Sequence, residues 1–461
     1  MKKTSAIHNH SLRERLHRVI PGGAHTYSRG DDQFPSMAPA LLKRGKGAYV
    51  FDMDENRFLD YGMALRSVTI GYADERVNSA AIAEIENGVG LTRASMTELQ
   101  AAERLADVVP SVEMVKFAKN GSNATTAALK IARAYTGRDY VCIPKQHPFF
   151  SFDDWFIGTT EIKRGVDRDR ASKTLTFDFN DLASLQRLFD QYPDQIAAVM
   201  LEPTTHVTPA FLSDHDRNWQ EVTYDKAGVK CPSFLTQVRE LTSSQGSLLI
   251  FDEMITGFRW HLSGAQEFFG VEPDLSTFGK AMANGFALAA VGGRSEIMEV
   301  GSIDKPNMER TFLLSSTHGA EMPALGAFLA ASKICEEENV PAHIWNFGLN
   351  LKNGLNNLAN EYGLGENFEV EGPPVALNYV TRDKEGAPSA GFRTLFAQEM
   401  LKKGVLIPWI SISLSHGEEE LEFTLSAARE AFEIYRKAVD ADSFEDYLAG
   451  PPIKPVFRKY N

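Results

Sequence analysis

Residues 248–259 read Leu-Leu-Ile-Phe-Asp-Glu-Met-Ile-Thr-Gly-Phe-Arg, an apolar run that ends in two acidic residues. The run has the length and composition of a strand buried on both faces of a parallel sheet. Such a strand would place Asp252 and Glu253 at its carboxyl end, where open α/β sheets bind their ligands. The two acids could bind a cation, hold a protonated ring nitrogen or form a salt bridge within a loop, and the motif alone leaves all three open.

A second motif lies downstream, where residues 273–285 read Pro-Asp-Leu-Ser-Thr-Phe-Gly-Lys-Ala-Met-Ala-Asn-Gly. Lys280 therefore stands between an apolar strand and a series of small residues that would not crowd a ligand. A lysine in such surroundings can form a Schiff base with an aldehyde. An ordinary solvated lysine is the alternative that this motif leaves open.

A third motif lies upstream, where residues 118–126 read Ala-Lys-Asn-Gly-Ser-Asn-Ala-Thr-Thr. They lead from a predicted strand at Val115–Phe117 into a helix, for which Ser122 or Asn123 is the predicted N-cap. Small residues at such a turn leave backbone N–H groups exposed at the positive end of a helix, which is an anion site. A capped helix without a ligand is the alternative.

Composition and charge exclude several classes of protein. The chain has 461 residues, with 48 Lys and Arg against 61 Asp and Glu, for a net charge of −13. This balance disfavours nucleic acids and anionic membranes as partners. Cys142, Cys231 and Cys335 lie far apart, which predicts neither a disulfide framework nor a metal site. The first twenty residues lack the apolar core of a signal peptide, so we expect a cytoplasmic protein.

The pattern along the chain predicts an α/β fold. An opening helix carries Leu12, Leu16 and Val19 on one face and ends at Pro21, and a hairpin follows over residues 47–61. Helical stretches then alternate with short apolar runs, which is typical of a parallel sheet covered on both faces. The predicted helices are Leu99–Val109, Ala124–Tyr135, Leu182–Gln191, Cys231–Gln245 and Glu418–Val439, and the predicted strands include Tyr140–Ile143, Ala197–Leu201 and Val375–Val380.

The three motifs together follow the logic of a pyridoxal phosphate site, with a phosphate-binding helix end, an acid for the ring nitrogen and a lysine for the aldehyde. The chain resembles the class III, fold-type I aminotransferases, and among them the group of glutamate-1-semialdehyde aminomutase. The matching segments are residues 21–23, 52–61, 120–125, 132–138, 201–203, 251–259, the Lys280 motif and residues 316–321. They occur in family order along almost the whole chain.

The resemblance implies a large domain with a mostly parallel, seven-stranded sheet between helices, and a smaller α+β domain built from the N- and C-terminal segments. We expect residues 1–75 to join the small domain, 76–325 to form the large cofactor-binding domain and 326–461 to form the C-terminal small domain. It also implies an obligate homodimer with shared active sites.

The resemblance assigns the catalytic chemistry to two residues. Lys280 matches the lysine that binds the cofactor aldehyde and then moves the proton between the substrate carbon and the cofactor. Asp252 matches the acid that keeps the ring nitrogen protonated. Met254 stands where the family usually has Val or Ile beneath the ring.

Further cofactor contacts follow from the same resemblance. Gly121 and Ser122 match the loop that holds the phosphate. Thr317 resembles the threonine that reaches the phosphate of the neighbouring subunit. Glu202 matches the glutamate of a Glu-Pro turn near the cofactor.

Two departures bear on the substrate. The family usually has Tyr-His-Gly where this chain has Phe149-Phe-Ser151, and Phe149 can still stack on the cofactor ring but offers no hydroxyl. The stretch from Glu202 to Asp252 is longer than the family norm. Its excess, around residues 204–230, could line a site for a hydroxyl-rich substrate or form a surface loop, and it contains Phe211, His215, Asp216, Arg217, Trp219 and Tyr224.

Arg29 lies at the spacing of the arginine that holds the substrate carboxylate in the aminomutase group. A guanidinium suits such bidentate binding, although a surface or dimer salt bridge is an equal alternative. The neighbouring His25, Tyr27, Asp31 and Asp32 could instead bind hydroxyls or an amine.

The predicted activity is transfer of an amino group from an amino acid donor, L-glutamate giving 2-oxoglutarate, to an aldehyde or ketone. The departures favour a sugar-derived acceptor, such as an 8-oxo-3-deoxy-manno-octulosonate of lipopolysaccharide biosynthesis. A glutamate-1-semialdehyde 2,1-aminomutase is the first alternative, and a family member that binds the cofactor without catalysis is the second.

Overall fold

The computed structural model describes residues 3–211, 233–312 and 316–460, with side chains from residue 10 onward in these ranges. The chain clusters into two compact units. One comprises Met1–Asp74 and His343–Arg458, and the other comprises Glu75–Ala342 with Lys459–Asn461. Residues 326–342 thus group with the larger unit, because helix α12 (Met322–Glu337) packs on helices α3 (Glu75–Glu86) and α4 (Met96–Val108). The division into domains at residues 75 and 325 stays a prediction.

The larger unit alternates strands with helices, as the sequence pattern predicts. Its remaining helices are α5 (Gly121–Thr136), α6 (Asp154–Ile157), α7 (Arg168–Ala171), α8 (Leu182–Gln191), α9 (Phe234–Ser244), α10 (Ala265–Phe269) and α11 (Ser295–Met298). Its strands are β4 (Met114–Ala118), β5 (Tyr140–Pro144), β6 (Thr174–Phe177), β7 (Ile196–Leu201), β8 (Leu248–Asp252), β9 (Leu275–Phe278) and β10 (Ala289–Gly293).

These seven strands form one sheet in the order β4-β10-β9-β8-β7-β5-β6. The neighbours from β9 to β6 pair in parallel, and only β10 runs against both of its neighbours. Every residue of β7 and β8 is buried, which explains why their sequences are continuous apolar runs. The predicted sheet of a fold-type I enzyme is confirmed.

Helices cover both faces of this sheet. Val291 packs into a core that contains apolar residues of α5, among them Ala128, Ile131 and Ala132. Its neighbour on β10, Ala290, packs into a second core with Leu105 of α4 and Phe328 of α12, among others. Because successive strand residues point to opposite faces, the two cores lie on opposite sides of the sheet.

The predicted motifs lie at one edge of the large sheet because the strands that precede them run in the same direction. The phosphate-loop motif follows β4, Glu202 follows β7, Glu253 follows β8 and Lys280 follows β9 closely. Strands β4, β7, β8 and β9 all run in the same sense, so their carboxyl ends share one edge of the sheet. That edge is where open α/β sheets bind ligands.

The smaller unit joins both ends of the chain. Its sheet has the order β1-β2-β3-β13, in which β3 and β13 are parallel, and a separate antiparallel pair joins β11 to β12. Its elements are α1 (Lys3–Val19), β1 (Leu42–Lys46), β2 (Tyr49–Asp52), β3 (Arg57–Asp60), α2 (Met63–Arg66), α13 (Val340–Glu361), β11 (Phe368–Glu371), β12 (Asn378–Thr381), α14 (Ala390–Lys402), β13 (Val405–Leu406) and α15 (Glu418–Ala441). The predicted opening helix and hairpin are confirmed.

One predicted strand is wrong in part. The pattern predicts a strand over Val375–Val380, but β12 begins at Asn378. Pro373 and Pro374 start a short turn instead, in which Ala376 N donates to the carbonyl of Pro373. Strand β11, which pairs with β12, is not predicted from the sequence pattern.

Within the described ranges, no helix is both long enough and apolar enough to cross a bilayer. Cys142 and Cys335 are buried free thiols, and Cys231 lies outside the described residues.

Candidate active site

Asp252 is the buried acid of the site. It is 2% exposed, and its Oδ1 accepts hydrogen bonds from Met254 N at 3.0 Å and from Thr277 Oγ1 at 3.0 Å. Thr277 faces Asp252 because β8 and β9 pair in parallel at this register. Both hydrogen bonds that the described residues make to this carboxylate thus fall on Oδ1, and they fix its orientation.

The electrostatics of Asp252 depend on Lys280. Burial raises the pKa of the Asp252 carboxyl, whereas the Lys280 ammonium and the two hydrogen bonds lower it. Since a buried acid ionises more readily beside a cation, the lysine and the acid stabilise each other's charge. The arrangement suits a ligand that brings a further positive group to the carboxylate.

Glu253, the second acid of the motif, has a structural role. Its Oε2 accepts from Ala265 N at 2.9 Å and also from Thr256 Oγ1, and its Oε1 accepts from Gln266 N at 2.9 Å. Glu253 therefore satisfies the first N–H groups of α10 and is fully buried. Of the two acids, Glu253 is bound by the backbone of α10, whereas the Asp252 carboxylate stands at the carboxyl end of β8.

Lys280 begins a short turn directly after β9. Its φ is 43°, a left-handed conformation that costs a non-glycine residue energy and that occurs often at functional sites. The preceding Gly279 is packed tightly, because a Cβ atom there would lie 2.6 Å from Met254 Sδ. A Cβ atom at Gly121 would lie 3.0 Å from the same sulfur. Met254 thus touches both the phosphate-loop motif and the lysine motif.

The phosphate-loop motif opens helix α5. Its N-cap is Asn120, whose side chain accepts from Asn123 N at 3.0 Å. The predicted N-cap at Ser122 or Asn123 is therefore wrong, because the helix begins earlier, at Gly121. Ser122 is buried, and its Oγ accepts from Phe152 N at 3.0 Å, which ties the loop after β5 to this helix.

His147 is a site residue that the sequence analysis missed. It is 5% exposed, and its Nδ1 accepts from Glu202 N at 3.0 Å. Burial, helped by His206, lowers its pKa to about 3, so the ring is neutral and Nε2 carries its proton. His147 fixes the backbone of the predicted Glu202-Pro203 turn. The sequence feature that could have pointed to His147 is its position shortly after the apolar strand β5.

The family model of the class III aminotransferases matches residues 32–207 and 226–438 of this chain. A 3-aminobutyryl-CoA aminotransferase of Cloacimonas acidaminovorans is 31% identical over 442 residues, which cover 95% of this chain and 99% of that protein. This chain belongs to the class III aminotransferases. The family uses pyridoxal phosphate, and the chain is a pyridoxal phosphate-dependent enzyme.

Other similar proteins include an aminomutase and a transaminase. A glutamate-1-semialdehyde 2,1-aminomutase of Pelotomaculum thermopropionicum is 31% identical over 447 residues, covering 92% of this chain and 96% of the relative. An omega-transaminase from Sphaerobacter thermophilus has a TM-score of 0.76 at 26% identity, covering 93% of this chain and 98% of that one. The FumI protein of Sphingopyxis sp. MTA144 has a TM-score of 0.82 at 24% identity, covering 95% and 99%, and shows the shared fold.

The match of this class III aminotransferase to the family is interrupted at residues 208–225. The gap falls within the stretch that the sequence analysis finds longer than the family norm. His215, Asp216, Arg217, Trp219 and Tyr224 lie outside the described residues, as does most of the segment 204–230.

The residues of this class III aminotransferase fit pyridoxal phosphate. The sheet edge supplies an amine at Lys280, a buried carboxylate at Asp252 and the N-terminus of the 16-residue helix α5. These groups suit an aldehyde, a ring nitrogen and a phosphate in turn. The tight contacts of Met254 with Gly121 and Gly279 show that the three segments form one cradle.

Of the two phenylalanines after β5, Phe149 is exposed and Phe150 is buried. Phe149 is 43% exposed and packs edge to face on Phe156, with ring centroids 5.6 Å apart, so part of its ring is accessible. Phe150 is buried, and its carbonyl accepts from Thr125 Oγ1 at 2.9 Å. Only Phe149 can therefore contact a ligand.

Thr317 is exposed, in a turn over residues 317–320 that precedes α12. An exposed threonine at this position leaves its hydroxyl accessible to another molecule.

Arg29 belongs to the smaller unit, in a turn formed by Tyr27–Arg29, and is exposed. Among the described side chains it forms no ion pair. Asp31 and Asp32, by contrast, pair with charged residues. Asp31 binds Arg13 at 3.1 Å and His17 at 2.8 Å, and Asp32 binds Arg458.

Proposed function

We propose that this enzyme transfers an amino group from L-glutamate, releasing 2-oxoglutarate, to an aldehyde or ketone derived from a sugar. The observation that carries the aminotransferase chemistry is the buried Asp252 carboxylate, hydrogen-bonded by Thr277 across two parallel strands, with Lys280 three residues beyond that threonine. An acid held in place beside a lysine amine is what amino-group transfer with pyridoxal phosphate requires.

The chain's residues divide the work. Bound pyridoxal phosphate supplies an aldehyde for the amine and a ring that accepts electrons from the substrate carbon. Lys280 would hold the cofactor aldehyde through its amine, and as a free amine it would act as the base for the proton on the donor's α-carbon. Asp252 holds the ring nitrogen in its protonated state. Lys280 would later deliver a proton to the former carbonyl carbon of the acceptor, which then carries the new amino group.

Other residues hold the cofactor in position. The N–H groups of Gly121 and Ser122 would bind the phosphate at the start of α5. Met254 would lie beneath the bound ring, and Phe149 would stack on it. Glu202, whose backbone is fixed by His147, borders the cofactor.

The preference for a sugar-derived acceptor is supported by the chain's departures from its family. Phe149 brings an apolar surface where the family usually has a tyrosine, and the long polar and aromatic segment at 204–230 offers hydroxyl-binding groups. Arg29, which is exposed and unpaired among the described side chains, is assigned to an acidic group of the substrate.

The test is a single-turnover experiment with purified protein loaded with pyridoxal phosphate. L-Glutamate alone should release close to one equivalent of 2-oxoglutarate and remove the visible absorbance of the lysine-bound cofactor. Sugar aldehydes should then restore that absorbance, and 3-oxoacyl thioesters serve as the comparison acceptors. If no amino donor tested releases its keto acid, the aminotransferase is refuted. A Lys280→Ala protein that keeps its biological role would favour a non-catalytic binding protein.

A glutamate-1-semialdehyde aminomutase is the second candidate, supported by the relative at 31% identity and by Arg29, which forms no ion pair among the described side chains. An aminomutase moves the amine within one molecule and consumes no external donor. The same single-turnover experiment distinguishes the two. Conversion of glutamate-1-semialdehyde to 5-aminolevulinate without release of 2-oxoglutarate would identify the aminomutase.

We also assign this enzyme a homodimeric state. Six apolar side chains between residues 82 and 99 are more than 40% exposed, namely Ile82, Ile85, Val89, Leu91, Met96 and Leu99. Apolar surface of this extent is typical of a protein interface. A second copy of this chain is its proposed partner, with Thr317 reaching the neighbouring phosphate. Sedimentation of the purified protein should give twice the chain mass of 51.1 kDa.

A further inference from the structure

Lys119 and Glu321 form an ion pair between two segments that are 202 residues apart. Lys119 stands between the end of β4 and Asn120, the N-cap of the phosphate-binding helix α5. Glu321 stands between the Thr317 turn and helix α12. The pair therefore connects the phosphate loop with the segment that carries Thr317, and neither residue belongs to the cofactor contacts assigned above.

The carboxylate of Glu321 binds Lys119 instead of capping α12. Although Glu321 is the N-cap of α12, its side chain makes no capping hydrogen bond to that helix. Its Oε2 accepts from Lys119 Nζ, and its Oε1 lies 3.5 Å from His318 Nδ1. The positive end of α12 also favours a carboxylate here. Glu321 thus bridges the phosphate loop to the residue next to Thr317.

Partial burial shields this pair from solvent more than a fully exposed pair would be. The side chains of Lys119 and Glu321 are 34% and 25% exposed, so solvent screens their attraction only in part. The turn also packs directly on β4, because a Cβ atom at Gly319 would lie 3.7 Å from the carbonyl oxygen of Phe117. Ala320 adds an apolar contact with the core cluster that contains Phe117.

We propose that Lys119 and Glu321 are positioning residues that hold the Thr317 turn rigidly against the phosphate loop of the same chain. This inference rests on the proposed dimer, in which Thr317 serves the neighbouring cofactor. The phosphate loop of one chain is then rigidly joined to Thr317 of the same chain, whose hydroxyl completes the phosphate site of the neighbouring chain. The ion pair thereby couples cofactor binding at the two sites of the dimer.

The first test is a charge-reversal cycle read out as the dissociation constant of pyridoxal phosphate, measured by titrating the apoprotein and following the visible absorbance. Lys119→Glu and Glu321→Lys should each raise this constant roughly tenfold, the size expected for residues in direct contact. The double reversal should return it close to the wild-type value. Lys119→Gln and Glu321→Gln serve as milder variants if a reversal unfolds the protein.

The Arg76–Glu338 pair provides the matched control. Glu338 follows the far end of α12, about 24 Å from Glu321 for a 16-residue helix. Arg76→Glu should leave the cofactor affinity unchanged. Unchanged affinity in both Lys119→Glu and Glu321→Lys overturns the proposal, as does a double reversal that fails to recover. A wild-type chain that binds no pyridoxal phosphate would instead refute the proposed function, and the coupling with it.

A heterodimer test locates the effect. One chain carries Lys280→Ala and Glu321→Lys, and the other is wild type, so the absorbance of lysine-bound cofactor reports only the wild-type chain. Glu321→Lys should weaken cofactor binding in that neighbouring site, and Thr317→Ala in its place should do the same. Unchanged cofactor binding at the wild-type chain would overturn the coupling between sites.

Discussion

Thr277 Oγ1 donates a hydrogen bond of 3.0 Å to Oδ1 of Asp252, which faces it on the neighbouring parallel strand. This bond stabilises the ionised carboxylate and lowers its pKa against the effect of burial. Because Lys280 follows Thr277 by three residues, one strand both orients the acid and delivers the amine.

Thr277→Val should lower kcat roughly tenfold, since it removes this hydrogen bond with little change of shape. Loss of the bond raises the pKa of Asp252, so the acid limb of the pH–rate profile should move to higher pH. The measurement is kcat for amino transfer across pH. Thr277→Ser, which keeps the hydroxyl, should restore the wild-type profile. An unshifted acid limb in the valine variant would show that Thr277 does not tune Asp252.

The two adjacent acids should separate function from stability. Asp252→Asn should lower the rate of 2-oxoglutarate release roughly 10²- to 10³-fold, because an amide cannot hold the ring nitrogen protonated. Its thermal unfolding should stay close to that of the wild type. Both quantities are measured on the cofactor-loaded protein.

Glu253→Gln is the counterpart and should mainly destabilise the fold, by about 1–3 kcal/mol. The amide would direct an NH₂ group at donors that now bind a carboxylate oxygen, Ala265 N and Gln266 N among them. Urea unfolding measures this loss. If Glu253→Gln abolished the chemistry while leaving stability intact, the assignment of the two acids would have to be exchanged.

Stability should fall as the solution becomes acidic, in part because of His416. This residue is fully buried, and burial, with His343 nearby, lowers its pKa to about 3. Between about pH 6.5 and pH 3 this histidine is therefore protonated in the unfolded state and neutral in the folded state. The free energy of unfolding falls by about 1.4 kcal/mol per pH unit as the pH decreases through this range. His416→Asn should reduce the difference in unfolding free energy between pH 7 and pH 5.

The control for His416 is His10, whose side chain is 76% exposed on α1. His10→Asn should leave the pH dependence of urea unfolding as it is in the wild type. Equal pH slopes for the His416 variant and the wild type would contradict the expected role of burial.

Asp274 should be a strong contributor to stability at the opposite end of β9 from Lys280. It is 3% exposed, lies 2.9 Å from both Arg239 and Arg294, and accepts from Leu249 N at 2.7 Å. Asp274→Asn should cost about 2–4 kcal/mol, because both guanidiniums lose their buried partner. Chemical denaturation of the apoprotein measures it.

Glu296→Gln supplies the comparison for Asp274. Its carboxylate lies 3.3 Å from Arg294 but is 60% exposed, so the change should cost less than about 1 kcal/mol. Similar losses for the two variants would mean that burial does not set the strength of the Asp274 pairs.

Much of the fold and of the candidate site follows from local sequence. The strands β7 and β8 were predictable because a fully buried strand must be apolar along its whole length. Asp252 ends such a strand and Lys280 closely follows another, and strand ends in open α/β sheets bind ligands. The phosphate loop stood out because small residues lead there from a strand into a helix. The short strand β11 was not predictable, because four residues with alternating burial carry too little pattern.

By itself, the sequence determined the class of fold, the edge of the sheet at which ligands bind, and the lysine, acid and helix end that meet there. The resemblance selects Asp252 as the acid, and only the tertiary structure gives Glu253 a role of its own, through its bonds to α10, which begins 12 residues later. Only the tertiary structure likewise established three contacts between distant residues. These are the hydrogen bonds of Thr277 with Asp252 and of His147 with Glu202, and the ion pair of Lys119 with Glu321. The physical reason is that hydropathy patterns report whether a residue is buried, whereas a hydrogen bond or ion pair depends on which distant residue the fold brings within about 3 Å.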